Sequence, residues 1–263
     1  HHHVHADYMD ADGLARLGNL CSAITTEFEN VPAAALTLLA AFCPVAPAAA
    51  AVAIAQDRAA EKAHFVGCGV PCAPYAVIDT AEQLAAVADD LLPGILKTTR
   101  MGYDGKGQVR VSTRAALAAA WAELHSVPCV LEKMLPLAAE CSVIVARGRD
   151  GQMVHFPPQR NLHRDGILAV TEVDASNMPP ALAQQAVDAA KSIASGLQYV
   201  GVLCVEFFVL DDGSLVVNEI APRPHNSGHY TIDACDVSQF DLQVRAMVGL
   251  PLVQPRQHSP AAM

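Results

Sequence analysis

Positive charge is scarce in this sequence: 17 lysines and arginines stand against 27 acidic residues, for a formal net charge of −10, and no basic run concentrates what there is. A surface of that sign repels a phosphate backbone, so nucleic acid is excluded as a partner. Unbroken apolar length is missing too. The alanine-rich stretch from Val31 to Ala55 is interrupted by Pro32, Pro44 and Pro47, whereas a spanning helix needs about 20 residues without such breaks. No charged n-region precedes an apolar h-region, so nothing directs the chain to secretion, and a cytoplasmic location without a membrane partner is expected. Two familiar nucleotide signatures are absent as well, because neither the GxxxxGK[ST] nor the GxGxxG spacing occurs. There is no internal repeat, and no low-complexity linker longer than the alanine run at 46–55.

What is present is a hydrophobic content of 52% over 263 residues, enough to bury a sizeable core as one large domain or two to three subdomains. The eight cysteines, at positions 21, 43, 68, 72, 129, 141, 204 and 235, are scattered and mostly flanked by apolar residues, which reads as buried reduced thiols. Cys68 and Cys72 form one close pair without a second pair or a histidine partner, weak evidence for zinc. The histidines at positions 1, 2, 3 and 5 read as a tag remnant or a frayed terminus and receive no function.

Along the chain, an acidic start followed by Leu14 and Leu17 predicts a short helix over 10–17, and Ala23–Glu27 predicts a strand ending in the charged cluster Glu27-Phe-Glu-Asn30, which Pro32 stops. Residues 48–66 predict one helix, with Arg58 and Lys62 a turn apart, followed by a breaker-rich link over 67–74. From Tyr75 the pattern is strand (75–78), helix (81–89), strand (94–98), glycine-rich loop (102–108), strand (109–112), helix (115–124) and strand (129–132), which suits a small α+β subdomain with a mobile loop. Further on, 140–147 and 152–156 read as paired strands, 180–197 as a helix, and 200–210 with 214–219 as strands joined by the Asp211-Asp-Gly213 turn. Residues 220–229 read as irregular polar chain and 238–248 as a final helix.

Three segments carry chemistry. Lys97 at a strand end is followed by Gly102, Gly105 and Gly107, interleaved with Tyr103, Asp104, Lys106 and Gln108. Glycines let the backbone curl its N–H groups toward an anion, and Lys97 and Lys106 supply point charges for a polyphosphate; the alternative is a glycine-rich hairpin with lysines in water. Glu206 and Glu219 fall in strands that the Asp-Asp-Gly turn makes antiparallel neighbours. Facing carboxylates repel unless a divalent cation lies between them, and Asn218 adds a neutral oxygen for magnesium; the alternative is two glutamates on opposite faces. Arg223-Pro-His-Asn-Ser-Gly-His229 then packs a guanidinium, two imidazoles, an amide and a hydroxyl into one loop, a density explained by a polar ligand or by a proline-fixed loop satisfied by its own side chains. His163, in Asn161-Leu-His-Arg-Asp-Gly166, reads as a histidine in a turn.

Taken together, GYDGKGQ at 102–108, EFEN at 27–30, residues 159–168, EFF at 206–208 and NEIAPRPHNSGH at 218–229 resemble the N5-carboxyaminoimidazole ribonucleotide synthetase family, from about Glu27 to Leu252. The resemblance implies a mixed α+β and α/β architecture, an ATP-grasp fold: a partial Rossmann-like pre-ATP-grasp segment at 1–55, a lid subdomain at 56–133 and a main subdomain at 134–263. The family's N-terminal glycine-rich strand-turn-helix and its small C-terminal domain are expected to lie outside the sequence. The resemblance further implies that ATP and Mg2+ are the cofactors and that bicarbonate and aminoimidazole ribonucleotide are the substrates, joined through carboxyphosphate by a homodimer. By the same resemblance, Arg58, Lys97, Glu132, Glu140 and His163 contact ATP, with Glu132 near adenine and Glu140 near ribose, and Gly102–Gln108 cover its phosphates. Glu206, Asn218 and Glu219 serve magnesium, Asn218 and Glu219 also facing the nucleotide. Glu27, Tyr103, Lys106, Arg223, His225 and Asn226 line the bicarbonate and ribonucleotide side, with Arg223, His225, Lys106 and Tyr103 in catalysis. Met101 stands where that family usually has a further glycine, and Thr26 where an aromatic is common. Two other readings share parts of the pattern: a formate-using glycinamide ribonucleotide transformylase, against which the PRPHNSGH loop argues, and an inactive ATP-binding domain, which need not keep Glu206 with Glu219.

Overall fold

The computed structural model describes residues 2–102, 107–164, 167–174 and 176–263. At the N-terminal end, helix α1 (Ala11–Leu20) starts where the Asp10 carboxylate accepts from the Gly13 N–H at 2.7 Å. Helix α2 (Ala33–Leu39) was not expected, because Pro32 reads as a stop. Proline is instead tolerated where a helix begins, since the N–H it lacks has no intrahelical partner there, and it sits directly before the first turn. The strand expected over 23–27 reduces to one parallel bridge between Ile24 and Val45; a strand needs a neighbour along its length, and Val45 is the one residue that offers it among those described. Leu14, Leu36, Leu39 and Val52 close a small core here.

The single helix expected over 48–66 is two, α3 (Ala49–Ala55) and α4 (Arg58–Gly67). The break lies at Asp57, whose carboxylate accepts from the Ala59 and Ala60 N–H groups at 3.1 and 3.2 Å and so starts a new helix. Beyond it come β1 (Tyr75–Ile78), α5 (Ala81–Ala86), β2 (Gly94–Thr98), β3 (Gln108–Val111), α6 (Arg114–Glu123) and β4 (Cys129–Lys133). Helix α5 stops short of the expected residue 89 because the chain tightens into a 3-10 turn at Asp89–Leu91. The strands form an antiparallel sheet in the order β1-β4-β2-β3. Leu96, Cys129 and Leu131 face its core with Leu117 and Ala120 of α6. Lys97 and Glu132, on strand positions that alternate with these, face the other way.

The larger sheet contains β5 (Leu137–Arg147), β6 (Met153–His155), β7 (Gln159–Arg164), β8 (Ile167–Val173), β9 (Gly201–Leu210), β10 (Leu215–Ala221) and β11 (Ala261–Ala262), in the order β10-β9-β5-β7-β8-β11 with β6 on β5. Helix α7 (Pro180–Gly196) covers one face, through Val187, Ala190 and Ile193 against Val143, Val145, Leu203 and Val205. Helix α8 (Gln239–Val248) covers part of the other, through Leu242 and Ala246 against Ile144, Ala146, Val202 and Cys204. Strand β7 corrects the turn expected around His163. Its inward positions are Gln159 and Asn161, both buried and hydrogen-bonded to Ser142 Oγ at 3.0 and 2.9 Å. A strand whose inward face is polar lacks the apolar alternation by which strands are read. Among the described residues no helix is long and apolar enough to cross a membrane.

Candidate active site

Helix α4 sits between the two sheets and presents Arg58, Glu61, Lys62 and Phe65 on one stripe, the spacing at which a helix normally buries apolar residues. Here three of the four are ionisable. Lys62 Nζ lies 3.1 Å from Glu132 Oε1, and Lys97 Nζ lies 2.9 Å from Glu132 Oε2, with side chains only 1%, 6% and 11% exposed for Lys62, Glu132 and Lys97. Lys62 also sits 5.8 Å from the centre of the Tyr75 ring. Burial alone would raise the Glu132 pKa, but the two ammonium groups outweigh it and hold the carboxyl below its usual range. One carboxylate between two lysines leaves a net positive wall, suited to a phosphate. Arg58 Nη1 contacts Glu219 Oε2 at 3.2 Å, while its Nη2 donates to the Gly102 carbonyl at 3.3 Å. Glu61, 2% exposed, accepts from the Ile220 N–H at 2.8 Å; burial and the nearby Glu219 push its carboxyl up to about 8.

Glu206 and Glu219 are register partners across β9 and β10, and the register shifts between Val217 and Glu219. That bulge displaces Asn218, whose Oδ1 is buried with no hydrogen-bond partner among the described residues. An unpaired buried amide oxygen costs about 1–3 kcal/mol unless something outside the chain satisfies it. A hard cation does so, and two carboxylates plus one amide oxygen are the donor chemistry of magnesium. For Glu219, burial opposes ionisation, yet Arg58 and Lys97 prevail and keep its pKa below the ordinary value.

On the floor beside β9, His163 Nδ1 is in contact with Glu140 Oε2, and His163 Nε2 lies 4.0 Å from Glu206 Oε2. The Glu140 contact holds the His163 imidazolium, raising its pKa against the opposing effect of burial. Glu140, His163, Leu137 and Val170 line a cleft of 390 Å³, within the range of small-molecule sites.

The loop after β10 is fixed from both sides. Arg223 donates two hydrogen bonds to Glu29 Oε2, at 3.1 and 2.8 Å. His225 Nε2 lies 3.1 Å from Glu206 Oε1, and His225 Nδ1 lies 2.9 Å from Ser227 Oγ. Ser227 Oγ is in turn 3.0 Å from Ser142 Oγ, so a fully buried hydroxyl pair backs the imidazole. Burial disfavours the imidazolium, but the facing Cys204 and Glu206 win and lift His225 to about 10; a cation on Glu206 would take over that compensation and lower it again. Gly228 admits no side chain, since a Cβ there would meet Ile144 Cδ1 at 2.2 Å.

Of the expected site residues, contacts link Arg58 with Glu219, Lys97 with Glu132, and Glu140 through His163 to Glu206 and His225, with Glu219 the register partner of Glu206; Glu140 and His163 line the cleft, while Arg223 is bound to Glu29. Asn226, exposed beside His225, accepts from the Ser227 N–H at 3.1 Å. Gly107, at φ 69° with Thr98 Oγ1 against its open side, and Gln108, paired with Lys97, hold the far end of the glycine-rich loop. Tyr103, Asp104, Gly105 and Lys106 lie outside the described residues. Glu27 is exposed, and the acid that reaches Arg223 is Glu29 of the same cluster. Lys62, Glu61, Glu29, Ser142 and Ser227 were not singled out from sequence. For Lys62 and Glu61 a signal existed, the charged residues on the core-facing stripe of α4.

A family model described as the ATP-grasp domain matches residues 63–240, and one described as the ribonucleotide synthetase preATP-grasp domain matches residues 1–56. The chain is similar to N5-carboxyaminoimidazole ribonucleotide synthase of Pseudomonas aeruginosa, at 42% identity over 99% of this chain and 72% of that protein. It is similar to that of Brucella melitensis, at 44% over 98% and 72%. Among solved structures it resembles the Staphylococcus aureus N5-carboxyaminoimidazole synthetase complexed with ADP (TM-score 0.91, 37% identity, 98% of this chain and 69% of that one). It also resembles the Aspergillus clavatus enzyme in complex with ADP and 5-aminoimidazole ribonucleotide (TM-score 0.89, 30% identity, 99% and 69%).

Proposed function

The chain belongs to the N5-carboxyaminoimidazole ribonucleotide synthetase family of ATP-grasp enzymes, and from that premise we propose which of its residues carry the reaction. It is an ATP-dependent ligase that acts on aminoimidazole ribonucleotide in purine biosynthesis. In the proposed division of labour, residues 1–55 are the pre-ATP-grasp segment, 56–133 the lid and 134–263 the main body with the metal and substrate sites.

Lys97 and Arg58 hold the phosphates, Glu132 lies toward the base, and Glu140 with His163 lies toward the ribose beside the 390 Å³ cleft. Glu206, Glu219 and Asn218 hold Mg2+, which supplies the neutralising charge for phosphoryl transfer. Asn218 Oδ1 carries this assignment, because it is a buried acceptor with no hydrogen-bond partner among the described residues. With ATP so placed, a bicarbonate oxygen attacks the γ-phosphorus, the bond to ADP breaks, and carboxyphosphate forms. The exocyclic amine of the ribonucleotide then attacks the carboxyl carbon, forming the C–N bond while the C–O bond to phosphate breaks. Arg223, held by Glu29 and by the Pro224 carbonyl, which accepts from its Nη1 at 3.1 Å, offers its remaining N–H groups to the anionic oxygens, and His225, set against Glu206, orients bicarbonate or takes the amine proton. Glu27, Asn226, Tyr103 and Lys106 complete the substrate side in this reading, and Gly102, Asp104, Gly105, Gly107 and Gln108 the cover over the phosphates. All eight cysteines are free thiols, which supports a reducing, cytoplasmic setting. A homodimer is part of the same reading.

The test is substrate-dependent ADP release. Aminoimidazole ribonucleotide with bicarbonate should elicit it, and formate with glycinamide ribonucleotide should not. Turnover with the second pair alone would reassign the enzyme to the formate-using transformylases.

A further inference from the structure

A second donor set lies on the same side of β9 and differs in chemistry from the all-oxygen trio. Cys204 and Glu206 alternate along the strand and so share a face, and His225 sits over them. Cys204 Sγ, a Glu206 carboxylate oxygen and a His225 ring nitrogen all lie within 4.8 Å of one another, and all three residues are buried. Glu206 Oε1 and His225 Nε2 are already 3.1 Å apart. The other ring nitrogen is held by Ser227 Oγ at 2.9 Å, the outer support that a ligating histidine commonly has. Cys204 Sγ is 3.9 Å from the same hydroxyl.

Thiolate, imidazole and carboxylate together suit zinc and its soft neighbours, whereas magnesium requires oxygens. Bonds of about 2.0–2.3 Å put neighbouring donors of a tetrahedral ion roughly 3.3–3.8 Å apart. With all three donors within 4.8 Å, the thiol closes in by no more than about 1.5 Å, which side-chain torsions supply, and three protein donors leave the fourth position to water.

We infer that Cys204, Glu206 and His225 form a site for a thiophilic divalent cation of the Zn2+ type, and that filling it stops catalysis. The ion takes the Cys204 thiol as thiolate, its proton passing to solvent. Glu206 belongs to both donor sets, so an ion on Cys204 withdraws it from the magnesium trio and occupies the His225 nitrogen that faces the substrate side. The inhibitory half rests on the residue roles proposed above; the binding half does not.

Cobalt(II) is the probe, added to the native protein without nucleotide or magnesium. A thiolate-to-cobalt charge-transfer absorption should saturate at one equivalent and vanish on adding zinc. It should be absent from Cys204→Ala and from Cys204→Ser, and retained in Cys68→Ala, which tests the neighbouring His64–Cys68 contact at 3.4 Å. The exposed N-terminal histidines bind cobalt without a thiolate and produce no such band. No band in the native protein, or a band that survives in both Cys204 variants, overturns the site. In turnover with Mg-ATP, the Cys204 variants, each compared with its own zinc-free rate, should need at least ~10-fold more zinc for half-inhibition. Equal zinc sensitivity overturns the inhibitory role. A band that follows Cys204 in a protein that turns over no substrate leaves the cation site standing and refutes the catalytic roles.

Discussion

Replacing Glu132 by glutamine keeps the shape of the side chain and removes the one negative charge between Lys62 and Lys97. The two ammonium groups lie 3.1 and 2.9 Å from its oxygens, and Lys62 is 1% exposed, so water cannot take the carboxylate's place. At an effective dielectric near 20, a charge pair 3 Å apart is worth about 5 kcal/mol before desolvation, and breaking a buried pair from one side typically costs roughly 3–5 kcal/mol. For a chain of this size each kcal/mol moves the melting temperature by about 2–4 °C, so Glu132→Gln should melt roughly 6–20 °C lower. Lys62→Met combined with Glu132→Leu removes the most deeply buried pair and leaves Lys97, at 11% exposure, to turn to solvent, so it should recover part of that loss, because apolar groups of similar volume replace buried ion pairs at little cost. Urea titrations of the two single variants and the double variant read the coupling directly. A loss below about 1 kcal/mol for Glu132→Gln, or a double variant that loses the sum of the singles, refutes the reading of α4 as a charged stripe compensated from β4.

Met101 is a non-glycine residue at φ 60° and is 69% exposed; an L residue there costs about 1–2 kcal/mol, so Met101→Gly should stabilise by up to ~1 kcal/mol after glycine's extra chain entropy, and a lower melting temperature would contradict it. Glu61, held up to about 8, keeps a proton in the folded chain that the unfolded chain releases above its ordinary range. The contribution of Glu61 to the stability of the ligand-free protein is therefore fully present below about 4.5 and is lost as pH rises through about 8, by on the order of 4 kcal/mol. Glu61→Gln, which still accepts from the Ile220 N–H, should flatten the melting profile between pH 6 and 9; parallel profiles for the two proteins would sink the assignment. His225→Ala should keep nucleotide affinity and lose roughly 100- to 10,000-fold in carboxylation, whereas lost ATP affinity with normal saturated turnover would move His225 to the nucleotide site.

The small sheet was legible because each strand is short, apolar on one face and bounded by breakers, so 75–78, 94–98 and 129–132 were placed to within a residue or so. Glu206 and Glu219 as strand neighbours followed from the Asp211-Asp-Gly213 turn, with Gly213 at φ 81°. Strand β7 was hidden because its inward residues bond Ser142 in place of packing apolarly, and α2 because a proline at a helix start looks locally like a proline at an end. Lys62 was legible only as lying one turn from Arg58; its burial depends on Glu132 arriving from β4, a tertiary fact that no local window contains. Glu29 differs from Glu27 only in direction, which the chain's path after the Ile24 bridge decides.

Oxygen transfer from bicarbonate tests the account most directly. With 18O-labelled bicarbonate, Mg-ATP and aminoimidazole ribonucleotide, carboxyphosphate chemistry requires one bicarbonate oxygen to leave in the inorganic phosphate, in step with ADP formation. Phosphate carrying one 18O per turnover is the predicted result. Unlabelled phosphate formed alongside carboxylated product would mean that the γ-phosphoryl group never reaches bicarbonate, and the proposed course of the reaction would be wrong.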